Sequence, residues 1–354
     1  MRITVIGVGL IGGSIGLAVK ERLGATVTGT GHRRASLERA LERGAVNRIA
    51  DTVEEAVADA DVVFVGVPVG LLPETVAQAL EAAPSECVVT DVGSTKRAVV
   101  AAVDDPRFVG GHPLAGAETT GVEHARPDLF DGAVWHLTPT ERTSGVLYER
   151  LHRLIRGIGA RPAAIDADLH DTILASVSHL PHVFANVLVA QAAGALAQER
   201  LPATGPSFRD ATRVAGASSA IWTDIYLSNR DALGEQIDDA IDRLSAVRRL
   251  LAAADDTGLT DWNDAAAEAR RRLLEAQLGG GTLYELRASV PNRPGVIAQL
   301  ALELGRAGVN ITDMALYPAA DMSEGVVAMW IAGEQPAERA EQIVQRLGFP
   351  VARA

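Results

Sequence analysis

The densest chemistry in the sequence lies at its start. Gly7-Val8-Gly9-Leu10-Ile11-Gly12 spells G-x-G-x-x-G. Alone the pattern is weak. Here a β-rich run, Ile3-Thr4-Val5-Ile6, precedes it and a helical stretch follows, the context in which such a loop holds the pyrophosphate of a dinucleotide. Gly7 would make the tight turn, Gly9 would let phosphate approach the backbone, and Gly12 would let helix and strand pack. The helix start, with Leu10 and Ile11, favours negative charge. Where the second strand ends, the chain reads Thr30-Gly31-His32-Arg33-Arg34. No carboxylate stands there for a ribose 2′-OH and cations follow, so the spacing favours NADP over NAD. A solvated basic loop is the plainer alternative.

Other reactive side chains are spread further along. His112 follows the strand candidate Phe108-Val109-Gly110-Gly111. That is the carboxyl end of a parallel strand, where ligands bind in doubly wound folds, and an imidazole there suits proton transfer near neutrality. Ser94, after the preceding strand, is a short donor and acceptor in the same crevice, or an N-cap for a helix starting at Thr95. Glu118 lies on the loop six residues past His112. His179 and His182 share a helix face at a spacing of three. No third ligand stands beside them and Pro181 lies between, so no metal is expected. The planar fork of Arg213 matches a carboxylate, and Trp222 follows nine residues later.

These groups need elements to hold them. Up to about residue 165, short β-rich runs alternate with helical stretches such as residues 36–43 and 72–82. The runs include Thr26-Val27-Thr28-Gly29, Val62 to Val67, Cys87-Val88-Val89-Thr90 and Val134 to Thr138. That alternation implies βαβ units and a mostly parallel sheet. From residue 166 to 278 the pattern turns helical. Leu233, Ile237, Ile241, Leu244, Val247 and Leu251 form one apolar stripe, fit for a dimer interface. Gly279-Gly280-Gly281 then reads as a linker. Residues 282–354 read strand, helix, strand, strand, helix, strand, the ferredoxin-like order.

Composition narrows the function classes. The 354 residues are 47% hydrophobic and 22% charged, a globular balance. A formal charge of −12 and a pI near 5.2 argue against nucleic acid or an anionic membrane as partner. Cys87 is the only cysteine, which bars an intrachain disulfide. The run from Ile3 to Val19 carries no charge, but five glycines interrupt it and Lys20-Glu21-Arg22 stands where a cleavage site would fall. No other stretch reads as long and apolar enough to span a bilayer, and a cytoplasmic protein is expected.

Five strings together resemble the prephenate/arogenate dehydrogenase family of tyrosine biosynthesis. They are GVGLIGGSIG at 7–16, DVGSTK at 91–96, GHPLAGAE at 111–118, SHLPH at 178–182 and FRDATR at 208–213. The third is the most specific. The tail, with Val290 to Val296 and Ala307-Gly308-Val309-Asn310-Ile311, resembles an ACT domain, an amino-acid-sensing module.

The resemblance implies a Rossmann-like domain, a helical substrate and dimerisation domain, and the ACT-like tail. It implies oxidative decarboxylation of prephenate, or of arogenate, with hydride passing to NADP or NAD. His112 would then be the base and Ser94 would orient substrate or histidine, with Glu118 on the site wall. His179, His182, Arg213 and Trp222 would bind substrate. Asn292, Gly308 and Asn310 would bind a tyrosine effector between paired copies of a homodimer. Before the FRDATR string the family is often glycine-rich, whereas this chain has Thr204-Gly205-Pro206-Ser207.

Two other classes compete. A 3-hydroxyacid dehydrogenase relies on a lysine in its helical domain, and the only lysines here are Lys20 and Lys96. A non-catalytic dinucleotide- and amino-acid-binding regulator would not need His112, Ser94 and Arg213.

Overall fold

A computed structural model describes residues 1–116, 119–196, 205–277, 282–291, 293, 296–319 and 323–353. Glu118, Asn292 and the Gly279-Gly280-Gly281 linker lie outside the described residues.

Eight strands form the first sheet among the described residues. They are β1 (Arg2–Ile6), β2 (Thr26–Thr30), β3 (Arg48–Ile49), β4 (Val62–Val65), β5 (Val88–Asp91), β6 (Phe108–Pro113), β7 (Val134–Thr138) and β8 (Arg161–Ala164). Their spatial order is β3-β2-β1-β4-β5-β6-β7-β8. All neighbours pair in parallel except β6 and β7. The central strand β4 shows why the sheet is covered on both sides. Val62 and Phe64 enter one apolar core, and Val63 and Val65 the other, as period-two geometry requires.

Helices α1 (Leu10–Leu23) and α2 (Arg34–Glu42) supply Ile15, Val19 and Leu37 to the first core. On the opposite face lie α3 (Val53–Val57), α4 (Leu72–Ala82) and α5 (Arg97–Ala102), with Val57, Leu72, Val76 and Val99. Helix α6 (Gly145–Gly157) returns to the first face through Leu147, Leu151 and Leu154. Parallel strands wound in this order with helices on both faces make a Rossmann-like domain. Its chain order reverses between β1 and β4, which places a crevice above Gly7 to Gly12. The two strands sequence reading missed, β3 and β8, are short and lack β-branched runs.

The helical part begins with α7 (Ala167–Leu174), capped by Asp166, whose carboxylate accepts from the Asp168 and Leu169 amides at 2.9 Å. A π-helical turn, Ala175–His179, joins it to α8 (Leu180–Leu196). Next come α9 (Pro206–Thr212), a 3₁₀ turn at Arg213–Gly216, α10 (Ser219–Ser228), α11 (Arg230–Ala253) and α12 (Asp256–Gln277).

One expectation needs correcting. The helix spanning Ala167–Gly194 is 28 residues long with a mean hydropathy of 1.5, so by length and composition it could cross a membrane. The composition scan of the sequence underrated it because polar residues punctuate its apolar side chains. In the folded chain His170, Asp171, His179 and His182 are buried against protein. Val177, Val187, Leu188 and Val189 are exposed on the single chain.

Packing divides the chain into two units, Met1–Ile241 and Asp242–Ala354, a cut inside α11. In the second unit β9 (Leu283–Pro291), α13 (Val296–Arg306), β10 (Ile311–Pro318), β11 (Glu324–Ala332), α14 (Glu334–Arg346) and β12 (Val351–Arg353) follow in turn. The four strands lie antiparallel in the order β10-β11-β9-β12. Leu286, Ala288 and Val290 face Leu300, Leu304 and Val344 of the two helices. On the other face, Arg270 of α12 lies over the Trp330 ring at 4.8 Å and 3.6 Å from Asp313.

Candidate active site

The glycine turn after β1 is shaped for a ligand. Gly7 has φ +91°, and a Cβ there would strike the Gly66 backbone; one at Gly12 would strike the Gly7 carbonyl. At Gly9, by contrast, a Cβ would meet nothing within 4 Å. Gly9 also starts α1 with no side-chain cap, so the first N–H groups of that helix stay open to an anion. The turn is held by the Gly7 amide donating to the Thr30 carbonyl at 2.9 Å. These features fit the pyrophosphate of a dinucleotide. Beyond Thr30, His32 and Arg33 are exposed. Arg34 is drawn to two carboxylates, Asp51 at 2.7 Å and Glu38 at 3.2 Å, so it meets a ligand phosphate only in competition with them.

His112 lies on β6, one residue inside its end and opposite His136 of β7. It is buried, and burial first, then His170 and Lys96, holds its pKa well below the usual 6.5. Its Nδ1 is 2.9 Å from Nε2 of His170, and His170 Nδ1 is 2.7 Å from Oδ1 of Asp171. The Asp171 carboxylate also accepts from the amides of Lys96 at 2.7 Å and Arg97 at 2.9 Å. Burial pushes this carboxyl up, but the His170 bond and the two amides outweigh it and hold the pKa below the usual range.

Ser94 is half-buried on the loop between β5 and α5. It does not cap α5, which starts at Arg97 after Lys96; Asp171 caps the helix from 74 residues away. Beneath that loop, Lys96 and Asp91 form a fully buried ion pair. Asp91 also accepts from the Gly93 amide at 2.8 Å and the Gly111 amide at 3.1 Å, which fixes the backbone next to His112.

His179 and His182 are both buried at the junction of the π turn and α8. Burial lowers the His179 pKa to about 4. Asn229 links His179 to the first histidine group, its Nδ2 lying 2.8 Å from the Asp171 carbonyl and 3.2 Å from His179 Nδ1. His182 stacks flat on Trp222, with centroids 3.6 Å apart and planes 7° apart, and hydrogen bonds the Tyr226 hydroxyl. Arg213 opens the 3₁₀ turn packed against α8, and is exposed. Beyond the bonds of His170 and Asp171 to the sheet domain, further contacts bind the helical wall to it: Asp224 accepts from the Gly70 amide at 2.9 Å, Thr95 bonds Ser228 at 3.0 Å and Arg97 pairs with Asp168 at 2.5 Å. Among the described residues no three His, Cys, Asp or Glu side chains are set to hold a metal ion.

His112, His179, His182 and Trp222 thus belong to one connected set. Sequence reading missed its joints, namely His170, Asp171, Asn229, Tyr226 and the Asp91–Lys96 pair. The adjacent His170-Asp171, nine residues before His179, was the available signal.

A dinucleotide turn and a buried, unprotonated histidine at a strand end of the same sheet define a Rossmann-type oxidoreductase. The family described as "Prephenate dehydrogenase, nucleotide-binding domain" matches residues 15–163, and "Prephenate dehydrogenase, dimerization domain" matches residues 166–263. The prephenate dehydrogenase of Bacillus subtilis (strain 168) is 32% identical over 358 residues, covering 97% of this chain and 95% of that protein. The cyclohexadienyl dehydrogenase of Zymomonas mobilis is 33% identical over 279 residues, 77% of this chain and 95% of its own. Among solved structures, the prephenate dehydrogenase of A. aeolicus in complex with hydroxyphenyl propionate and NAD+ superposes with a TM-score of 0.72 at 26% identity, covering 77% of this chain and 98% of that one. Synechocystis arogenate dehydrogenase gives 0.67 at 27% identity, covering 77% and 100%. The chain belongs to the prephenate dehydrogenase family.

Proposed function

We propose that the protein oxidatively decarboxylates prephenate to 4-hydroxyphenylpyruvate, with His112 as the base. The observation that carries this reading is the buried histidine at the end of β6, held by the His170–Asp171 chain in the same sheet that carries the glycine turn. Depressed by burial, the imidazole is neutral at cellular pH and ready to accept a proton. His112 takes the proton of the ring C4 hydroxyl. The electron pair left on oxygen forms the carbonyl as the C4–H bond breaks and its pair leaves as hydride; loss of the ring carboxylate as carbon dioxide then sends its bonding pair through the ring to that oxygen, which regains a proton, and the ring becomes aromatic. A nicotinamide dinucleotide, its pyrophosphate held by Gly9 to Gly12, would supply the hydride acceptor. Ser94 orients the histidine or the substrate. Arg213 binds a substrate carboxylate as a charge-assisted fork, and His179, His182 and Trp222 line the side-chain end; the family resemblance assigns Glu118 to the same site. The test mixes the protein with prephenate or arogenate and NADP or NAD and follows the reduced cofactor. No turnover with any pair would sink the reading; turnover of arogenate alone would move it to arogenate dehydrogenase.

NADP is the favoured cofactor, since no carboxylate ends β2 and Arg33 is exposed there. Changing Arg33 and Arg34 to alanine should weaken NADP and spare NAD; a wild-type preference for NAD defeats the choice. The working division is 1–165 for the dinucleotide, 166–278 for substrate and pairing, and 282–354 for regulation. The exposed Val177, Val187, Leu188 and Val189 support a homodimer, which sedimentation tests. The antiparallel sheet order of the tail supports an ACT-like module. In it Gly308 has φ +71° beside exposed Asn310, and with Asn292 these would hold tyrosine. Tyrosine should inhibit the whole chain but not one ended at Gly280; equal inhibition of both would remove the module from control.

A further inference from the structure

An imidazole base has two ring nitrogens, and only one neutral tautomer of His112 serves the reaction. We propose that His170 and Asp171 act as positioning residues that fix this tautomer, with the proton of His112 on Nδ1 and its lone pair on Nε2. The inference deepens the reading of His112 as the base and rests on it for its kinetic consequence.

The argument starts at the carboxylate. Asp171 is fully buried, and both of its oxygens already accept: Oδ1 from the Lys96 amide and Oδ2 from the Arg97 amide. An ionised carboxylate has no proton to give. The 2.7 Å contact between Oδ1 and His170 Nδ1 therefore needs the hydrogen on Nδ1. A neutral imidazole with Nδ1 protonated accepts at Nε2. That nitrogen lies 2.9 Å from His112 Nδ1, so the hydrogen of this second bond belongs to His112 Nδ1. The remaining nitrogen of His112, Nε2, is left as the acceptor. Direction passes along the chain like a row of one-way joints, from a group that can only accept.

Other polar groups stand close to this chain. His136 faces His112 across the strands, and its ring stands 5.4 Å from that of His170. Lys96 is a buried cation beside His112, paired with Asp91, and His179 is tied to Asn229. When His112 takes the substrate proton, the new cation keeps its Nδ1–H bond to His170, and His170 keeps its own to Asp171. The charge formed in the reaction is thereby met by hydrogen bonds already in place. Asp171 has a second task, since it also caps α5 and so pins the loop carrying Ser94. Changing Asp171 would therefore disturb the loop along with the tautomer, whereas changing His170 leaves the cap intact.

The experiment has two arms. First, ¹⁵N spectra of the histidine side chains are recorded on the wild-type chain at neutral pH, with His112 assigned by comparison with His112→Asn. The expected result is a proton on Nδ1 and a free Nε2. A proton on Nε2, or a doubly protonated His170, overturns the proposal. Second, His170→Leu should lower kcat by roughly 10- to 100-fold with KM within about threefold of wild type, because a proton-transfer group is misdirected while substrate contacts persist. Wild-type kcat in this variant also overturns it. A wild-type chain that turns over neither prephenate nor arogenate would defeat the proposed function instead, and the spectra would still decide the tautomer.

Discussion

The two walls of the site are built by different rules. At the sheet wall, His112, Lys96 and Asp91, with His170 and Asp171 of α7 packed on them, are all buried, and each polar group named has a partner. On the helical wall, Arg213 is exposed, Trp222 is half-buried, and the two histidines sit at a break in helical regularity. Under the proposed mechanism the difference separates tasks. Proton transfer needs a fixed direction and a controlled pKa, which a dry, over-determined network supplies. Recognition of a substrate carboxylate would need a charge that an incoming ligand can reach, which the exposed turn carrying Arg213 offers.

Breaking the sheet wall should therefore cost rate or stability, and breaking the helical wall should cost affinity. The largest effect is expected at His112. His112→Ala should lower kcat by about 10²–10⁴-fold with a smaller change in KM, measured as steady-state turnover; near-normal turnover would erase the contrast. Next comes the buried ion pair. Lys96→Met strands Asp91 without its cation, and breaking such a pair typically costs about 3–5 kcal/mol, readable in denaturant unfolding. The double variant with Asp91→Asn should recover part of that loss. Equal stability of wild type and Lys96→Met would mean that the pair contributes nothing.

On the other wall, Arg213→Ala should raise KM roughly ten- to hundred-fold, as expected from losing a charge-assisted contact of about 1.5–3 kcal/mol. Cofactor affinity should hold; if both fall together, the variant has lost its fold instead. The smallest effect is on acid stability. His179 stays neutral in the folded chain down to about 4, while the unfolded imidazole takes up a proton near 6.5. Protonation thus favours unfolding as pH drops. The melting temperature should be level above about pH 7, fall from about 6.5 towards 4, and fall less in His179→Asn. A profile that is flat from neutrality to pH 4 would contradict this.

What the sequence revealed follows the range of the forces involved. The glycine turn is local, since six consecutive residues carry the strand end, the turn and the helix start. The strand Val62 to Val65 announces itself by a β-branched run, and Val134 to Thr138 by β-branched ends around an aromatic. His112 was legible from its place at a strand end. Its partner was not, because His170 lies 58 residues away and reaches it only after the helical part folds against the sheet. The cap of α5 was misread for the same reason. Ser94 has the right residue type nearby, but the group that satisfies the helix is the distant carboxylate of Asp171. The π turn left no mark at all, since Ala175 to His179 has nothing that forbids an ordinary helix. For Arg34, only the fold could reveal that Asp51 stands within reach.

That turn sets a phase relation between two halves of one helix. Ahead of it, His170 and Asp171 point their side chains to the sheet wall; behind it, His182 meets Trp222 and Tyr226. A π-helical turn holds one residue more than an α-helical turn would. Deleting a residue such as Ser176 would let the helix run on smoothly and gain regular backbone bonds. The two halves would keep nearly their present phase, because the residue removed is the one that the π turn holds in excess, so His182 would stay on its aromatic partners and only the residues of the turn itself, His179 among them, would be re-aimed. The shortened protein should keep its helix content and the ring stack of His182 while the His179–Asn229 contact is put out of reach, so the extra residue serves the aim of one side chain and not the course of the helix.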